Sequence, residues 1–138
     1  MNIRHRVVAI IIKNNRILLV KGKGWPELWT PGGKIEDGEN EEDTLKRELK
    51  EELGLELQTM QFFKKYFMEN PYSKGDMTET KCFLVKVKGE PKPNQEIESF
   101  VWYSIRDFKS KKYKMLAENE KGLIPDLIKE GLLKVERG

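Results

Sequence analysis

Between Asn40 and Gly54 the chain spells out a helix with a start signal and a stop signal. Asn40 is a good N-cap, and Glu41, Glu42 and Asp43 follow in the first turn, where carboxylates complement the helix dipole. Gly54 supplies the left-handed residue that ends a helix. Leu45, Leu49 and Leu53 recur at every fourth position, so one stripe of this helix is apolar and must lie against another element. That element is written on either side of it. HRVVAIIIK (5–13) and RILLVKG (16–22) are β-branched, apolar runs parted by Asn14 and Asn15, residues that tolerate the positive φ of a tight turn, and they predict a strand hairpin. Further strand-like runs cover 56–68, 78–88 and 99–103, and an amphipathic helix is expected over about 122–133, after a basic KSKKYK run that reads as a solvated turn. Strands, helix, strands, helix make an α/β or α+β layered domain.

One domain of 138 residues can bury a core without staples, and the lone Cys82 has no internal partner for a disulfide. A reducing, cytoplasmic setting is therefore expected. No run approaches the roughly 20 apolar residues that span a bilayer, and the opening MNIRHRVVAIIIKNN is too short and too charged at its flanks for a signal peptide. Neither membrane insertion nor secretion is expected. The net charge of +3 conceals an asymmetry: residues 36–52 hold nine acids and three bases, −6 in that segment against +9 elsewhere. The basic excess comes with no nucleic-acid-binding motif, and the absence of G-x4-G-K-[ST] disfavours a P-loop enzyme.

On the helix, Glu48 and Glu52 stand one turn apart, Glu51 lies between them, and Arg47 sits one turn before Glu51. Like charges at this spacing repel, so the cluster needs open water or a counter-cation. Carboxylate oxygens suit Mg²⁺ or Mn²⁺, which are commonly shared with substrate phosphate. Taken alone, EEDTLKRELKEEL is also what a solvated amphipathic helix looks like. The wider spacing decides against that reading: Gly33, five residues, Glu39, seven residues, then Arg47-Glu48-Leu49, Lys50, Glu51-Glu52-Leu53 and Gly54-Leu55. This resembles the Nudix box, G-x5-E-x7-R-E-U-x-E-E-x-G-U, at every fixed position, and the flanking pattern extends the resemblance over the whole chain, 1–138.

The resemblance implies an α/β/α sandwich with a central mixed β-sheet and divalent-metal-dependent hydrolysis of a nucleoside diphosphate linked to another group. Position by position, Glu48, Glu51 and Glu52 match the family's metal-binding glutamates, and the Gly32 carbonyl matches a backbone ligand. Glu39 and Arg47 match groups that orient the ligands, which fits the ability of a guanidinium fork to fix a carboxylate at one angle. Glu96, six residues before Trp102, resembles the additional carboxylate of MutT-like members and is preferred over Glu98. Glu48 and Glu96 are both candidates for general base.

Lys21 and Lys23 resemble residues that contact substrate phosphate, and Trp29 or Trp25 could stack a base. The lead-in Trp29-Thr30-Pro31-Gly32-Gly33 is one residue tighter than the family's usual W-x-[LF]-P-G-G. Pro71 and Tyr72, sixteen and seventeen residues past Leu55, resemble markers of ADP-ribose and dinucleoside polyphosphate hydrolases respectively. The expected partner is a nucleotide, most simply a MutT-like (d)NTP or oxidised nucleotide; ADP-ribose, nucleotide sugars and dinucleoside polyphosphates are the alternatives. A Nudix-fold module that binds nucleotide without turnover is the rival from another class. A monomer or a homodimer is expected, and His5 and Cys82 are read as structural.

Overall fold

The computed structural model describes residues 2–70 and 73–136, so Pro71 and Tyr72 lie outside the described residues. Five strands precede the first helix: β1 (Ile3–Ile10), β2 (Ile12–Lys13), β3 (Arg16–Gly22), β4 (Leu28–Trp29) and β5 (Gly32–Lys34). Then come α1 (Glu41–Leu53), β6 (Glu56–Glu69), β7 (Met77–Lys88), β8 (Ile97–Tyr103), α2 (Ile105–Ser110), a π-helical turn (Asn119–Leu123) and α3 (Ile124–Lys129). β1 pairs parallel with β7 and antiparallel with β5, which makes a mixed sheet of order β5-β1-β7-β6. In a second sheet β3 is central. β8 runs antiparallel along one side of it, while β2 and β4 pair with its beginning and its end.

The run VVAIII is apolar without alternation because both of its faces are covered. Val7, Ala9 and Ile11 pack with Leu45, Leu49 and Leu53 of α1. Val8 and Ile10 pack with Leu123, Ile124 and Leu127 on the opposite side. Helix, sheets and helix thus form the layered α/β sandwich that the resemblance implies.

α1 is set by its two ends. Asn40 Oδ1 accepts the Asp43 N–H at 2.8 Å and Asp43 Oδ2 accepts the Asn40 N–H at 3.2 Å, a reciprocal capping box. At the other end Gly54 is left-handed (φ 67°), and the Gly54 and Leu55 amides return to the Lys50 and Leu49 carbonyls.

Several boundaries differ from the sequence expectation. The predicted 5–13 strand breaks at Ile11, where the chain leaves one sheet for the other, so only Ile12 and Lys13 form the hairpin with β3 across Asn14 (φ 52°) and Asn15 (φ 60°). The Lys23–Asp37 loop contains β4 and β5. KSKKYK is partly helical, because Ser104 and Asp107 form a second capping box that starts α2. The last helix is shorter than 122–133. Pro125 has no N–H to return to Lys121, and the Ile124 N–H reaches back to the Asn119 carbonyl, producing the π turn ahead of α3.

Candidate active site

α1 brings Glu48 and Glu52 to one face because they are four residues apart, and that face packs on β5. Two glycines permit the approach. A Cβ at Gly33 would sit 2.6 Å from Glu48 Oε1, and a Cβ at Gly32 (φ 145°) would collide with the Val7 carbonyl oxygen. The Gly32 N–H donates to Glu52 Oε1 at 2.9 Å. Glu96 arrives from the other direction. The last carbonyls of a helix have no partner within it, and here those of Glu52 and Leu53 accept the Asn94 and Lys92 amides at 3.0 and 2.9 Å. The Lys23 N–H holds the Glu96 carbonyl at 2.8 Å, and Gln95 takes a positive φ of 50°. The turn is therefore moored to the end of α1, and carboxylate oxygens of Glu48, Glu52 and Glu96 lie within 4.8 Å of one another.

Arg47 organises the flank of this trio. Its Nε and Nη2 grip both oxygens of Glu39 at 2.7 and 2.9 Å, and its Nη1 donates to Glu48 Oε1 at 2.7 Å and, more weakly, to Glu51 Oε2 at 3.4 Å. Glu39 also accepts from the Thr44 hydroxyl and the Glu36 amide. The Arg47 hydrogen bonds, helped by those two, hold the Glu39 carboxyl down at about 2. Arg47 thus links Glu39 to Glu48. Glu51 turns toward Arg47 and is not one of the three converging carboxylates.

Burial raises Glu52 to about 8, reinforced by the Glu48 charge and opposed by the Gly32 N–H. Glu48 is raised as well, chiefly by burial, with Arg47 opposing. A metal fits here: three oxygen donors of like charge converge, Glu52 buried, Glu48 half-buried and Glu96 exposed, and among the described residues the one cationic hydrogen-bond donor to the trio, Arg47, reaches Glu48 alone. Glu48, Glu52 and Glu96 would hold it, with Gly32 alongside.

The trio opens into a cleft of about 760 Å³, which also receives Gly32, Gly33, Trp25 and Trp29. That volume suits a nucleotide-sized ligand. Lys21 and Lys23 do not line it, and Lys21 Nζ is engaged by Glu98 at 2.8 Å on the second sheet. The cations that do line it are Arg4 and Arg6 of β1, and Glu118 lines it too, three residues that the sequence does not single out. A signal existed for the arginines. Strand alternation puts Arg4 and Arg6 on the face of Val8 and Ile10, where a charge before the buried run implies an opening in the core.

Known proteins give the same picture. The NUDIX domain model matches residues 3–127. An 8-oxo-dGTP diphosphatase from Buchnera aphidicola subsp. Schizaphis graminum is 45% identical over 67 residues, 44% of this chain and 52% of that protein, so the chain spans about half the length of the curated relative it matches. Among solved structures, a MutT NUDIX hydrolase from Burkholderia pseudomallei superposes with TM-score 0.67 at 28% identity, covering 75% of this chain and 84% of that one. A MutT structure from work on the Aliivibrio salmonicida and Vibrio cholerae proteins gives TM-score 0.73 at 25% identity over 94% and 99% of the two chains. With the box residues gathered at one cleft and the family model spanning nearly every described element, the chain belongs to the Nudix family and resembles its MutT-like members.

Proposed function

We propose that this protein is a divalent-metal-dependent pyrophosphohydrolase acting on a MutT-like nucleotide, a (d)NTP or its oxidised form. The observation that carries the reading is the convergence of Glu48, Glu52 and Glu96 within 4.8 Å at the mouth of a nucleotide-sized cleft. The 8-oxo-dGTP diphosphatase relative supports the substrate class. When bound, Mg²⁺ or Mn²⁺ supplies Lewis acidity toward phosphoryl oxygen and an acidified water. The chain supplies the rest. Glu48 and Glu52 would hold the ion, their carboxylates oriented by Arg47 and by the Gly32 N–H respectively. Glu96 is the exposed member of the trio and makes no side-chain hydrogen bond among the described residues, which supports its carboxylate over that of Glu48 as the base for the attacking water. Trp25 and Trp29 offer apolar surface to the nucleoside.

The test is a panel of dNTPs, 8-oxo-dGTP, ADP-ribose and dinucleoside polyphosphates, incubated with Mg²⁺ or Mn²⁺ and resolved by chromatography with and without EDTA. Metal-dependent release of pyrophosphate from a triphosphate supports the reading. Cleavage of ADP-ribose alone, to two monophosphates, moves the chain to another branch of the family, and tight nucleotide binding with no cleavage makes it a binding module.

A further inference from the structure

β6 is the outer strand of the β5-β1-β7-β6 sheet: β7 pairs along one side of it, and no described strand pairs along the other. At 14 residues it is more than twice an ordinary strand in length. An open edge presents unpaired N–H and C=O groups to any strand that fits, and folds usually blunt it with prolines, bulges or lysines. β6 contains no proline, and its two register shifts fall early, at Leu57/Thr59 and Phe62/Lys64. From Lys64 to Glu69 the ladder with β7 runs unbroken. The lysines of this stretch are engaged by the protein itself. Lys64 Nζ lies 3.7 and 3.8 Å from Asp126 and Glu130, while Lys65 Nζ sits 5.4 Å from the Phe67 ring centroid with Glu79 at 4.0 Å.

Phe67, at the middle of the unbroken stretch, is 48% exposed. Lys65, Phe67 and Glu69 pair with Lys81, Glu79 and Met77, so they share one face of the sheet, the face that α1 covers farther along at Phe83. A cation two residues before an exposed aromatic ring and an anion two residues after it form a self-complementary pattern. Laid antiparallel against a copy of itself with Phe67 on the two-fold axis, the strand sets Phe67 against Phe67 and each Lys65 opposite the other copy's Glu69. Moving the axis two residues either way sets Lys65 against Lys65 or Glu69 against Glu69, where like charges repel.

From this pattern we infer that the protein forms a two-fold homodimer in which the β6 strands of two copies pair antiparallel about Phe67, joining two four-stranded sheets into one. The open backbone groups of the edge find partners, the two exposed rings cover each other, and two ion pairs fix the register. Met68 and Glu69 also line the cleft, so the pairing brings the partner's Lys65 to the cleft rim beside Glu69. The dimer needs neither metal nor nucleotide and stands apart from the pyrophosphohydrolase reading.

Sedimentation of the full chain tests it, and at about 50 µM, ample for a micromolar association, the protein should run as a dimer. Lys65→Glu or Glu69→Lys alone sets like charges opposite each other and should weaken association at least about tenfold. The double variant Lys65→Glu/Glu69→Lys re-creates both ion pairs and should restore the dimer, a rescue that general damage to the fold would not give. A second arm needs no charge change. Residues directly opposed across antiparallel strands have Cα atoms about 4.5–5.5 Å apart, within disulfide reach, so Phe67→Cys should cross-link two chains under mild oxidation. Phe62→Cys, away from the axis, should not, and the buried Cys82 does not compete. A monomer at that concentration, a dimer indifferent to both single charge reversals, no rescue by the double variant, or cross-linking through Phe62→Cys in place of Phe67→Cys would overturn the inference.

Discussion

Among single residues, Arg47 and Glu52 hold the account together, and they set opposite ends of the pH profile. Glu39 sits near 2 in the folded protein, below its ordinary 4.5, so its contribution to stability is complete above that value and is lost as pH falls from 4.5 toward 2. Glu52 works the other way. With its pKa raised to about 8, the folded metal-free protein keeps a proton that the unfolded chain has released, and stability declines as pH rises from 4.5 to 8. The melting temperature of the EDTA-treated protein should therefore fall between pH 5 and 8.5, by an amount worth up to a few kcal/mol at about 1.4 kcal/mol per unit. Added Mg²⁺ should restore it, with proton release visible as buffer-dependent binding heat. Glu52→Gln should flatten the metal-free profile, whereas a flat profile in the unmodified protein would remove the buried carboxyl from the argument. Arg47→Lys keeps the charge but loses the fork that grips Glu39 and Glu48, and should lower kcat by about 10–100-fold with the fold intact.

At the level of elements, the site exists because α1 is capped, stops on time and meets a strand made of glycine. Asn40→Ala removes one half of the capping box and should cost about 1 kcal/mol, a few degrees in melting temperature, with little effect on turnover. Gly33→Ala should do the reverse, since its Cβ would press on the Glu48 carboxylate; activity should drop by at least about tenfold while the melting temperature changes little. Equal losses of activity in both variants would show that general stability, not carboxylate placement, governs the site. α1 was legible in the sequence because its cap, its leucine stripe and its terminal glycine are local signals. Glu96 needed the family resemblance, because the contact that seats it, the Asn94 amide on the Glu52 carbonyl, joins residues 42 positions apart and leaves no periodic trace. The split of the first strand at Ile11 was invisible for a related reason. An apolar run reads alike whether it stays in one sheet or crosses to another. The box alone did not distinguish Glu51 from its neighbours; the side-chain direction, toward Arg47, does.

Taken as a whole molecule, the protein uses two sheets and two helical layers to leave one opening where β1, α1, the Glu96 turn and the C-terminal segment meet. Neither lysine expected at that opening lines it, Lys21 being paired with Glu98 and Lys23 meeting the Glu96 turn through its backbone N–H, whereas arginines from the first strand do line it. They were readable only as a break in strand alternation, and Glu118 not at all, because a π turn follows no simple side-chain period. Among the described residues no helix is long and apolar enough to cross a membrane. The central claim is that Glu48, Glu52 and Glu96 act together as one divalent-metal centre for phosphoanhydride cleavage. Its most direct test is Mn²⁺ titration followed by electron paramagnetic resonance, alongside pyrophosphate release, in the unmodified protein and in Glu48→Gln, Glu52→Gln and Glu96→Gln. The account predicts that each variant stays folded, binds Mn²⁺ at least about tenfold more weakly and loses at least about 100-fold in kcat, with the three effects markedly less than additive in combination. Unchanged Mn²⁺ affinity and turnover in Glu52→Gln would contradict it.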